Sequence, residues 1–503
     1  MEARIRMPKL RERIMTADEA ASFIQDGMTL GISGFTRAGD AKAVPMALAE
    51  RCKRTGEPMH IQLWTGASVA EEVDRVLAEA GIVHRRLPYQ SDRLLRDAIN
   101  RGEIMYTDQH LSLTVEMIRA GQLGRLDVAI IEAVAITEDG GIIPSTSVGN
   151  SPTFAAMADK VIIELNTRQS PLLEGMHDIY LPGPRPHREP LPLKEVDEHI
   201  GTTYIPVDAD KIVGIVLTDR ADHFVDMVPG DEETEMIARH LLDFFEEQVK
   251  TGQMPPELYP LQSGVGAVSN AVLSGLKHAS FKNLTMYSEV LQDAVFELLD
   301  SGVLAFASGC AITVTPQHAA ELMQRLHQYR DKIILRPQEI SNHPELIRRL
   351  GVIAMNTALE ADIYGNVNST HVSGTHIMNG IGGSGDFARN ALLSVFVTKS
   401  TAKHGDVSSI VPMVSHVDHT EHDVDILVTE QGLADLRGLA PRERSRLVIE
   451  KCAHPDFKDA LLEYVERAEL RGGQTPHVIE EALSWHQRFR ESGSMRAIEH
   501  EYV

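Results

Sequence analysis

The chain has 503 residues, of which 43% are hydrophobic and 24% are charged, a composition typical of a globular protein with two or more domains. No apolar run approaches the roughly 20 residues of a membrane-spanning helix, and the N-terminus lacks the apolar segment of a secretory signal. The formal net charge of −23 argues against nucleic acids and anionic membranes, which attract basic surfaces. We therefore expect a cytoplasmic protein. Its three well-separated cysteines, Cys52, Cys310 and Cys452, fit reduced thiols rather than disulfides or a zinc site.

The first half of the chain alternates helical and strand patterns. A helix over 17–26 and a strand over 28–33 precede a glycine-containing loop, and continuous apolar runs follow at 128–136 and 161–165. Such runs between helices predict a mostly parallel sheet that is covered on both faces. A polar connection over 222–231 indicates the domain boundary, so we expect one α/β domain over 1–228 and a second over 229–503.

A second alternation of helices and strands begins near residue 262. The predicted strands are 284–287, 303–307, 332–335, 392–397, 410–413 and 424–428. Three charged helical segments end the chain, at 442–454, 457–471 and 478–490, and they predict a packing or dimer-forming layer. The expected fold class is α/β, with two open, mostly parallel-sheet domains and a helical C-terminal layer.

The segment 286–302 carries the best candidate nucleophile, Glu289. Apolar residues recur at helical spacing from Val290 onwards, Ser288 can cap the start, and Gly302 suits a left-handed stop. These signals predict that Glu289 lies in the first turn of a helix, where the dipole and free N–H groups keep a carboxylate ionised. The alternative is that the acid only stabilises the helix.

Two glycine-rich segments, 261–272 and 379–389, flank this acid in the sequence. Glycine lets backbone N–H groups approach a phosphate, a thioester oxygen or an oxyanion. Residues 380–385 match the dinucleotide-binding pattern G-x-G-x-x-G, but the preceding residues 371–379 are polar and contain Gly374, which does not fit a buried strand. A backbone donor loop and a plain structural turn both remain open.

Three histidines, His416, His419 and His422, recur at intervals of three among acidic residues. A loop between two apolar strands would not bring them to one face, so a hydrogen-bonded turn is favoured over a metal site or a general base. The chain has neither a Walker motif nor a G-x-S-x-G elbow. Chemistry without ATP that uses an acid as nucleophile therefore fits best.

Several longer motifs lie along the chain: Leu261-Gln-Ser-Gly-Val-Gly266, Tyr287-Ser-Glu-Val-Leu-Gln292, Leu335-Arg-Pro-Gln-Glu-Ile-Ser-Asn342, residues 379–389 and Val428-Thr-Glu-Gln-Gly-Leu-Ala-Asp-Leu-Arg-Gly438. Together they resemble the acetyl-CoA hydrolase/transferase family, and within it the succinyl-CoA:acetate and propionyl-CoA:succinate CoA-transferases. The resemblance covers nearly the whole chain.

The resemblance implies two α/β domains of the class-I CoA-transferase type and assigns candidate roles to residues. Glu289 matches the catalytic glutamate, Asn342 and the N–H of Gly383 match the oxyanion donors, and Glu430 matches a second active-site acid. The candidate contacts to the thioester and to CoA are Gln262, Ser263, Gly264, Val265, Gly266, Gly382 and Lys403.

The resemblance also implies a reaction without a metal or prosthetic group, in which coenzyme A is a substrate. The expected enzyme is a CoA-transferase that moves CoA between a short acyl-CoA (acetyl, propionyl or succinyl) and acetate or succinate through a glutamyl-CoA thioester. A homodimer is expected. An acyl-CoA hydrolase is the alternative within enzymes, and a CoA-binding protein without turnover is the alternative outside them.

Overall fold

The computed structural model describes residues 2–223 and 230–497. These residues form two compact units. Unit 1 comprises residues 2–223, Asn283–Leu350 and Asn379–Asp386, and unit 2 comprises residues 230–282, Gly351–Met378 and 387–497. The domain boundary predicted at 228/229 lies outside the described residues. Glu289 belongs to the same compact unit as the N-terminal residues.

A nine-stranded sheet forms the first part of unit 1. Its strands in chain order are β1 Ile14–Met15, β2 Thr29–Ile32, β3 Ile61–Trp64, β4 Val83–Leu87, β5 Met105–Tyr106, β6 Val128–Ile136, β7 Ile142–Pro144, β8 Lys160–Asn166 and β9 Ile212–Thr218. The spatial order is β1-β9-β8-β6-β2-β3-β4-β5, and every neighbouring pair along it is parallel. β7 pairs antiparallel with β6.

Burial explains the apolar strand sequences. All nine residues of β6 are buried, as expected for a parallel strand covered by helices on both faces. The helices of this part are Ala17–Ala21, Ala43–Thr55, Val76–Glu79 after a π-helical turn Glu71–Arg75, Arg93–Asn100, Leu111–Arg119 and Ser151–Met157. The prediction of a mostly parallel, covered sheet is confirmed.

The segment Asn283–Leu350 adds three parallel strands to unit 1. They are Leu284–Tyr287, Leu304–Gly309 and Ile333–Leu335, with Leu304–Gly309 in the middle. The helices of this segment are Asp293–Ser301, Pro316–Arg325, Gln338–Ser341 and Pro344–Leu350. A further helix, Ser384–Asn390, begins in the glycine-rich segment.

The predicted helix around Glu289 is wrong at its N-terminus. The helix begins at Asp293 with Gln292 as its N-cap, so Ser288 is not the cap and Glu289 precedes the first turn by four residues. Val290 and Leu291 instead form a short strand parallel to Ala311–Ile312. The spacing of the apolar residues is compatible with a helix that starts earlier. Strand pairing of Val290 and Leu291 with Ala311–Ile312 instead sets their conformation. Gly302 does end the helix with φ 74°.

Five strands of unit 2 lie side by side in a sheet. Leu261–Ser263, Ile353–Thr357, Leu393–Val397 and Ile426–Thr429 are parallel in this order, and Gly432–Asp435 pairs antiparallel with the last. Its larger helices are Glu232–Lys250, Ala267–Leu276, Pro441–Cys452, Pro455–Arg471 and Ser484–Ser492. The last three confirm a helical C-terminal region, although the final helix begins at Ser484 rather than at residue 478.

The segments between the larger elements of unit 2 contain short paired strands. Three short strands form a small sheet: Glu360–Asp362, Val367–Asn368 and Ile410–Val411. The two hairpins are His371–Val372 with His376–Ile377, and Thr401–Ala402 with Val407–Ser408. The first hairpin precedes the glycine-rich segment 379–389, so the dinucleotide-binding pattern lacks its buried parallel strand.

In the described ranges 2–223 and 230–497, no helix combines the length and the apolar character needed to cross a membrane.

Candidate active site

The backbone on both sides of Glu289 is fixed by the neighbouring chain segment. Ser288 donates its N–H to the carbonyl of Ser308 at 2.9 Å, and the Glu289 carbonyl accepts from the N–H groups of Cys310 at 2.6 Å and Ala311 at 3.0 Å. These hydrogen bonds fix Glu289 just beyond the carboxyl end of the strand Leu284–Tyr287. In open α/β sheets, this edge is where ligands bind.

Asn342 is the direct partner of the Glu289 carboxylate. Its Nδ2 donates to Oε1 of Glu289 at 2.8 Å, and its side chain is buried. Asn342 follows the short helix Gln338–Ser341, and its own N–H returns to the carbonyl of Gln338 at 2.9 Å. Oδ1 of Asn342 has no hydrogen-bond partner among the described residues, so the amide is oriented chiefly by the carboxylate.

The Glu289 carboxyl is desolvated but still partly accessible. Burial raises its pKa to about 7, and the hydrogen bond from Asn342 limits this rise. The prediction that a helix dipole keeps this acid ionised is wrong, because the helix begins four residues later. A carboxyl whose pKa is raised in this way titrates near neutral pH, and its anion is less well solvated than an exposed carboxylate.

Gly383 lies against the same carboxylate. A Cβ atom at this position would stand 2.1 Å from Oε1 and 2.2 Å from Oε2 of Glu289. Any side chain would have to displace the carboxylate, so only glycine fits here as the groups now stand. The adjacent Gly382 has φ 57°, a conformation that favours glycine, and its Cβ would contact Tyr89 at 3.5 Å. The structure thus brings together Glu289, Asn342 and Gly383.

The glycine-rich segment is held by two acids that the sequence did not single out. Asp108 accepts the N–H of Ile381 with both carboxylate oxygens at 3.0 Å. Asp386 accepts the N–H of Ser112 at 2.9 Å and its hydroxyl at 2.6 Å. These bonds tie both sides of Gly383 to the chain around the helix Leu111–Arg119. Asp108 and Ile381, like Ser112 and Asp386, are too far apart in the sequence for a local pattern to connect them. Only Asp386, which lies within the glycine-rich segment, could have been noticed from the sequence.

The Glu289 carboxylate contributes to the raised pKa of Asp386. Burial raises the pKa of Asp386 to about 7, the bonds from Ser112 oppose this rise, and the nearby Glu289 charge adds to it. The site therefore changes its charge close to neutral pH.

In unit 2, Glu430 is a carboxylate with several donors. It follows the strand Ile426–Thr429 and accepts the N–H of Ser400 at 2.8 Å, the Ser400 hydroxyl, and Nε2 of Gln431 at 2.9 Å. Burial alone would raise the pKa of Glu430, but the hydrogen bonds from Ser400 and Gln431 outweigh it, so the pKa is lowered. Glu430 is therefore held as an anion at neutral pH.

The predicted thioester-side loop of unit 2 contains both buried and exposed residues. Gln262 and Ser263 are buried in the strand Leu261–Ser263, and Oε1 of Gln262 accepts the N–H of Met355 at 3.1 Å. Val265 is 55% exposed, and Gly266, with φ 146°, is the N-cap of the ten-residue helix Ala267–Leu276. The N–H of Gly264 donates to the carbonyl of Met355 at 3.0 Å, which fixes where the loop leaves the sheet.

Lys403 lies in an exposed turn of unit 2. It has φ 50° and begins the 3₁₀ turn Lys403–Gly405, and its Nζ stands 4.4 Å from the centre of the Phe489 ring. A cation–π contact of this kind leaves the ammonium on the surface, where it can meet an anion. Its predicted contact with CoA stays a prediction.

The three histidines near residue 419 do not form a metal-ligating group within the described part of the chain. His419 is buried, and its ring packs on Phe396 with the ring centres 4.7 Å apart. His416 instead lies beside His371, with the ring centres 3.8 Å apart.

Comparison with known proteins gives matches over nearly the whole chain. The family model for the acetyl-CoA hydrolase/transferase N-terminal domain matches residues 2–217, and that for the C-terminal domain matches residues 319–465. A succinyl-CoA:acetate CoA-transferase of Clostridium kluyveri is 52% identical over 98% of this chain and 92% of its own length.

Other relatives carry two different activity names. A propanoyl-CoA:succinate CoA transferase of Escherichia coli is 44% identical over 96% of this chain and 98% of its own. An acetyl-CoA hydrolase of Schizosaccharomyces pombe is 45% identical over 99% of this chain and 98% of its own. Among solved structures, RipA from Yersinia pestis has a similar fold, with a TM-score of 0.71 and 22% identity over 92% of this chain and 98% of its own.

Proposed function

The chain belongs to the acetyl-CoA hydrolase/transferase family, and on this premise we propose that it is a CoA-transferase whose nucleophile is Glu289. One observation carries the proposal. The partly accessible carboxylate of Glu289 receives the amide of Asn342 at 2.8 Å and lies against the backbone of Gly383, which has no room for a side chain. A nucleophile and two oxyanion donors are the parts that acyl transfer requires.

In the first half-reaction, an oxygen of Glu289 attacks the thioester carbonyl of the acyl-CoA. The C–S bond breaks, and the products are a mixed acyl-glutamyl anhydride and the CoA thiolate. The thiolate then attacks the glutamyl carbonyl of the anhydride, which releases the donor carboxylate and leaves a glutamyl-CoA thioester. No net proton moves in either step.

The second half-reaction reverses these two steps with the acceptor. Its carboxylate attacks the glutamyl thioester, the thiolate leaves, and a new mixed anhydride forms. The thiolate then attacks the acceptor carbonyl, which gives the new acyl-CoA and regenerates the Glu289 carboxylate. The thioester free energy is kept in each intermediate, so the exchange needs no ATP.

Asn342 and Gly383 supply the electrostatic part of this mechanism. Each attack produces a tetrahedral oxyanion, and the Nδ2 group of Asn342 and the N–H of Gly383 are the proposed donors to it. Fixed donors of this type typically contribute about 3–4 kcal/mol each to the transition state. Asp108 and Asp386 position the second donor, because they hold the backbone on both sides of Gly383.

Unit 2 supplies the proposed CoA-binding groups. The exposed Val265 and the half-buried Gly266 stand at the N-terminus of the helix Ala267–Leu276, where free N–H groups favour an anion. Lys403 adds a local positive charge to a protein with a net charge of −23. Glu430 is the proposed second active-site acid.

The donors and acceptors we propose are acetyl-, propionyl- and succinyl-CoA with acetate or succinate, in line with the names of the similar transferases. A single methylene in an apolar pocket changes binding by only about 1–3 kcal/mol, so acetyl and propionyl groups should both be accepted. We also propose a cytoplasmic homodimer that needs neither a metal nor a prosthetic group for this reaction.

A hydrolase is the second candidate, since similar proteins carry that name. The two activities differ in whether water or a carboxylate attacks the glutamyl thioester. Acetyl-CoA should be incubated with and without succinate while both thioesters are followed. A transferase forms succinyl-CoA in step with acetyl-CoA loss and shows ping-pong kinetics. Equal loss of acetyl-CoA without succinyl-CoA formation would identify a hydrolase, and a CoA-binding protein would consume neither.

A further inference from the structure

Unit 2 contains a group of three potential metal ligands that the proposed reaction does not use. The ligand atoms of His371, His416 and Asp418 all lie within 4.8 Å of one another. The two imidazole rings are 3.8 Å apart at their centres and tilted by 34°, and Nε2 of His416 is 3.4 Å from Oδ1 of Asp418. His371 is the first residue of the hairpin His371–Val372 with His376–Ile377.

Hydrogen bonds from two neighbouring residues hold the carboxylate in this group. Oδ2 of Asp418 accepts the N–H of Ser369 at 2.7 Å, and its two oxygens face the Thr370 hydroxyl at 2.9 Å each. A metal-binding carboxylate is commonly oriented by such donors. The acid is therefore already fixed beside the two rings.

The same hydroxyl selects the tautomer of His371. Thr370 has one hydroxyl proton, which it donates to the Asp418 carboxylate, so it can only accept from Nδ1 of His371, 2.6 Å away. Nδ1 thus carries the ring proton, and Nε2 carries the lone pair that can bind a metal. A histidine whose second nitrogen donates to an oxygen is the usual arrangement for a metal ligand.

The charge of the group also suits a cation. The group places one acid, Asp418, beside two imidazole rings. One carboxylate and two imidazoles are ligands that zinc and other first-row divalent metals accept.

We propose that His371, His416 and Asp418 form a binding site for a divalent transition metal of the zinc type. Ligand atoms around such an ion lie about 2.0–2.2 Å from it, so binding would draw the three groups closer together. It would fasten the 371–377 hairpin to the 416–418 loop. This site is separate from the proposed reaction, so neither proposal depends on the other.

Cobalt titration tests the site, because Co²⁺ bound with few ligands absorbs visible light. Zn²⁺ should displace the bound Co²⁺ and remove this absorption. Metal-stripped protein without an affinity tag should bind one Co²⁺ per chain with a Kd of about 10 µM or lower, with visible absorption that Zn²⁺ removes. His371→Gln and His416→Gln should each weaken binding by at least about tenfold. His376→Gln provides the matched control, because His376 is an exposed histidine on the same hairpin.

The control also guards against adventitious binding by a chain with 22 histidines. Circular dichroism should show that each variant is folded, and added Zn²⁺ should raise the Tm of the parent and of His376→Gln but not of His371→Gln. Absence of stoichiometric binding by the parent would overturn the proposal. Equal binding by the parent, His371→Gln and His416→Gln would overturn it as well.

Discussion

Glu289 and Glu430 occupy comparable positions in two different units, and their surroundings give them opposite properties. Each follows the carboxyl end of a parallel strand. Glu289 receives one side-chain hydrogen bond, from Asn342, and burial raises its pKa to about 7. Glu430 accepts from Ser400 and Gln431, which lowers its pKa despite burial.

The difference shows that the number of donors, rather than burial alone, decides what a carboxylate can do. Satisfied by several donors, Glu430 is a stable anion and a poor nucleophile. Glu289 has one donor and one open face, so its anion can gain stabilisation by forming a bond. The following changes test this contrast.

Glu289→Gln should have the largest effect, because it keeps the size of the side chain and removes the nucleophilic oxygen anion. We expect CoA-transferase activity to fall by about 10⁴-fold or more. The measurement is the initial rate of succinyl-CoA formation from acetyl-CoA. Activity within tenfold of the parent would contradict the assignment of Glu289.

Gly383→Ala should lower kcat by about 10³-fold, because the new Cβ would stand 2.1 Å from the carboxylate and would shift both nucleophile and donor. Gly183→Ala is the matched control, since a Cβ there meets only Arg188 at an ordinary 3.5 Å. The control should keep parental kinetics. If Gly383→Ala also kept them, the backbone at this position would not be part of the site.

Asn342→Ala should lower kcat by about 10²–10³-fold with little change in KM for acyl-CoA, because its donor acts on the transition state. The pH profile gives a second readout. Protonation removes the nucleophile, so kcat/KM of the parent should fall as the pH decreases through about 7. In the parent, the hydrogen bond from Asn342 lowers the pKa of Glu289. Asn342→Ala removes this bond, so the pKa should rise and this limb of the profile should move to higher pH. A raised KM with unchanged kcat would instead make Asn342 a substrate-binding residue.

Glu430→Gln should have a smaller effect on activity, about 10–100-fold, and should also destabilise the protein. Hydrogen bonds to a charged acceptor contribute about 1.5–3 kcal/mol, and the Ser400 bonds would lose that charge. Thermal unfolding and steady-state kinetics measure the two effects. A loss of activity as large as that of Glu289→Gln would show that the two carboxylates do not differ as described.

Lys403→Glu should have the smallest effect, a rise of about three- to tenfold in KM for acyl-CoA with the dependence on succinate unchanged. The reason is the loss of one surface charge that we propose contacts the anionic CoA. Lys53→Glu, which makes the same charge change at an exposed position of the helix Ala43–Thr55, is the control. A matching rise in KM for the control would show that the effect comes from the net charge of the protein and not from a contact between Lys403 and CoA.

The sequence was sufficient for features that depend on local pattern. Continuous apolar runs predicted the buried parallel strand Val128–Ile136, and glycine predicted the left-handed end of the helix at Gly302. The strand Val83–Leu87 was missed because charged residues interrupt it. One of them, Arg86, is buried with its Nε 2.9 Å from Asp74, and this ion pair cannot be read from spacing.

The site itself depends on contacts between distant residues. Family resemblance identified Glu289, Asn342 and Gly383, although their spacing gave no reason to expect that they meet. The positions of Asp108 and Asp386 were missed because each acts through a partner far away in the chain. Local pattern also placed Glu289 in a helix that in fact begins later.

Covalent transfer of CoA to Glu289 can be detected by mass spectrometry of the protein after incubation with acetyl-CoA and no acceptor. We predict a glutamyl-CoA thioester on the tryptic peptide 283–325, which contains Glu289, Glu297 and Glu321. The adduct should disappear on hydroxylamine treatment and in Glu289→Gln, and it should persist in Glu297→Gln, where an exposed acid of the same peptide is changed. An adduct that persists in Glu289→Gln, or active protein that never forms one, would show that Glu289 is not the residue that accepts CoA.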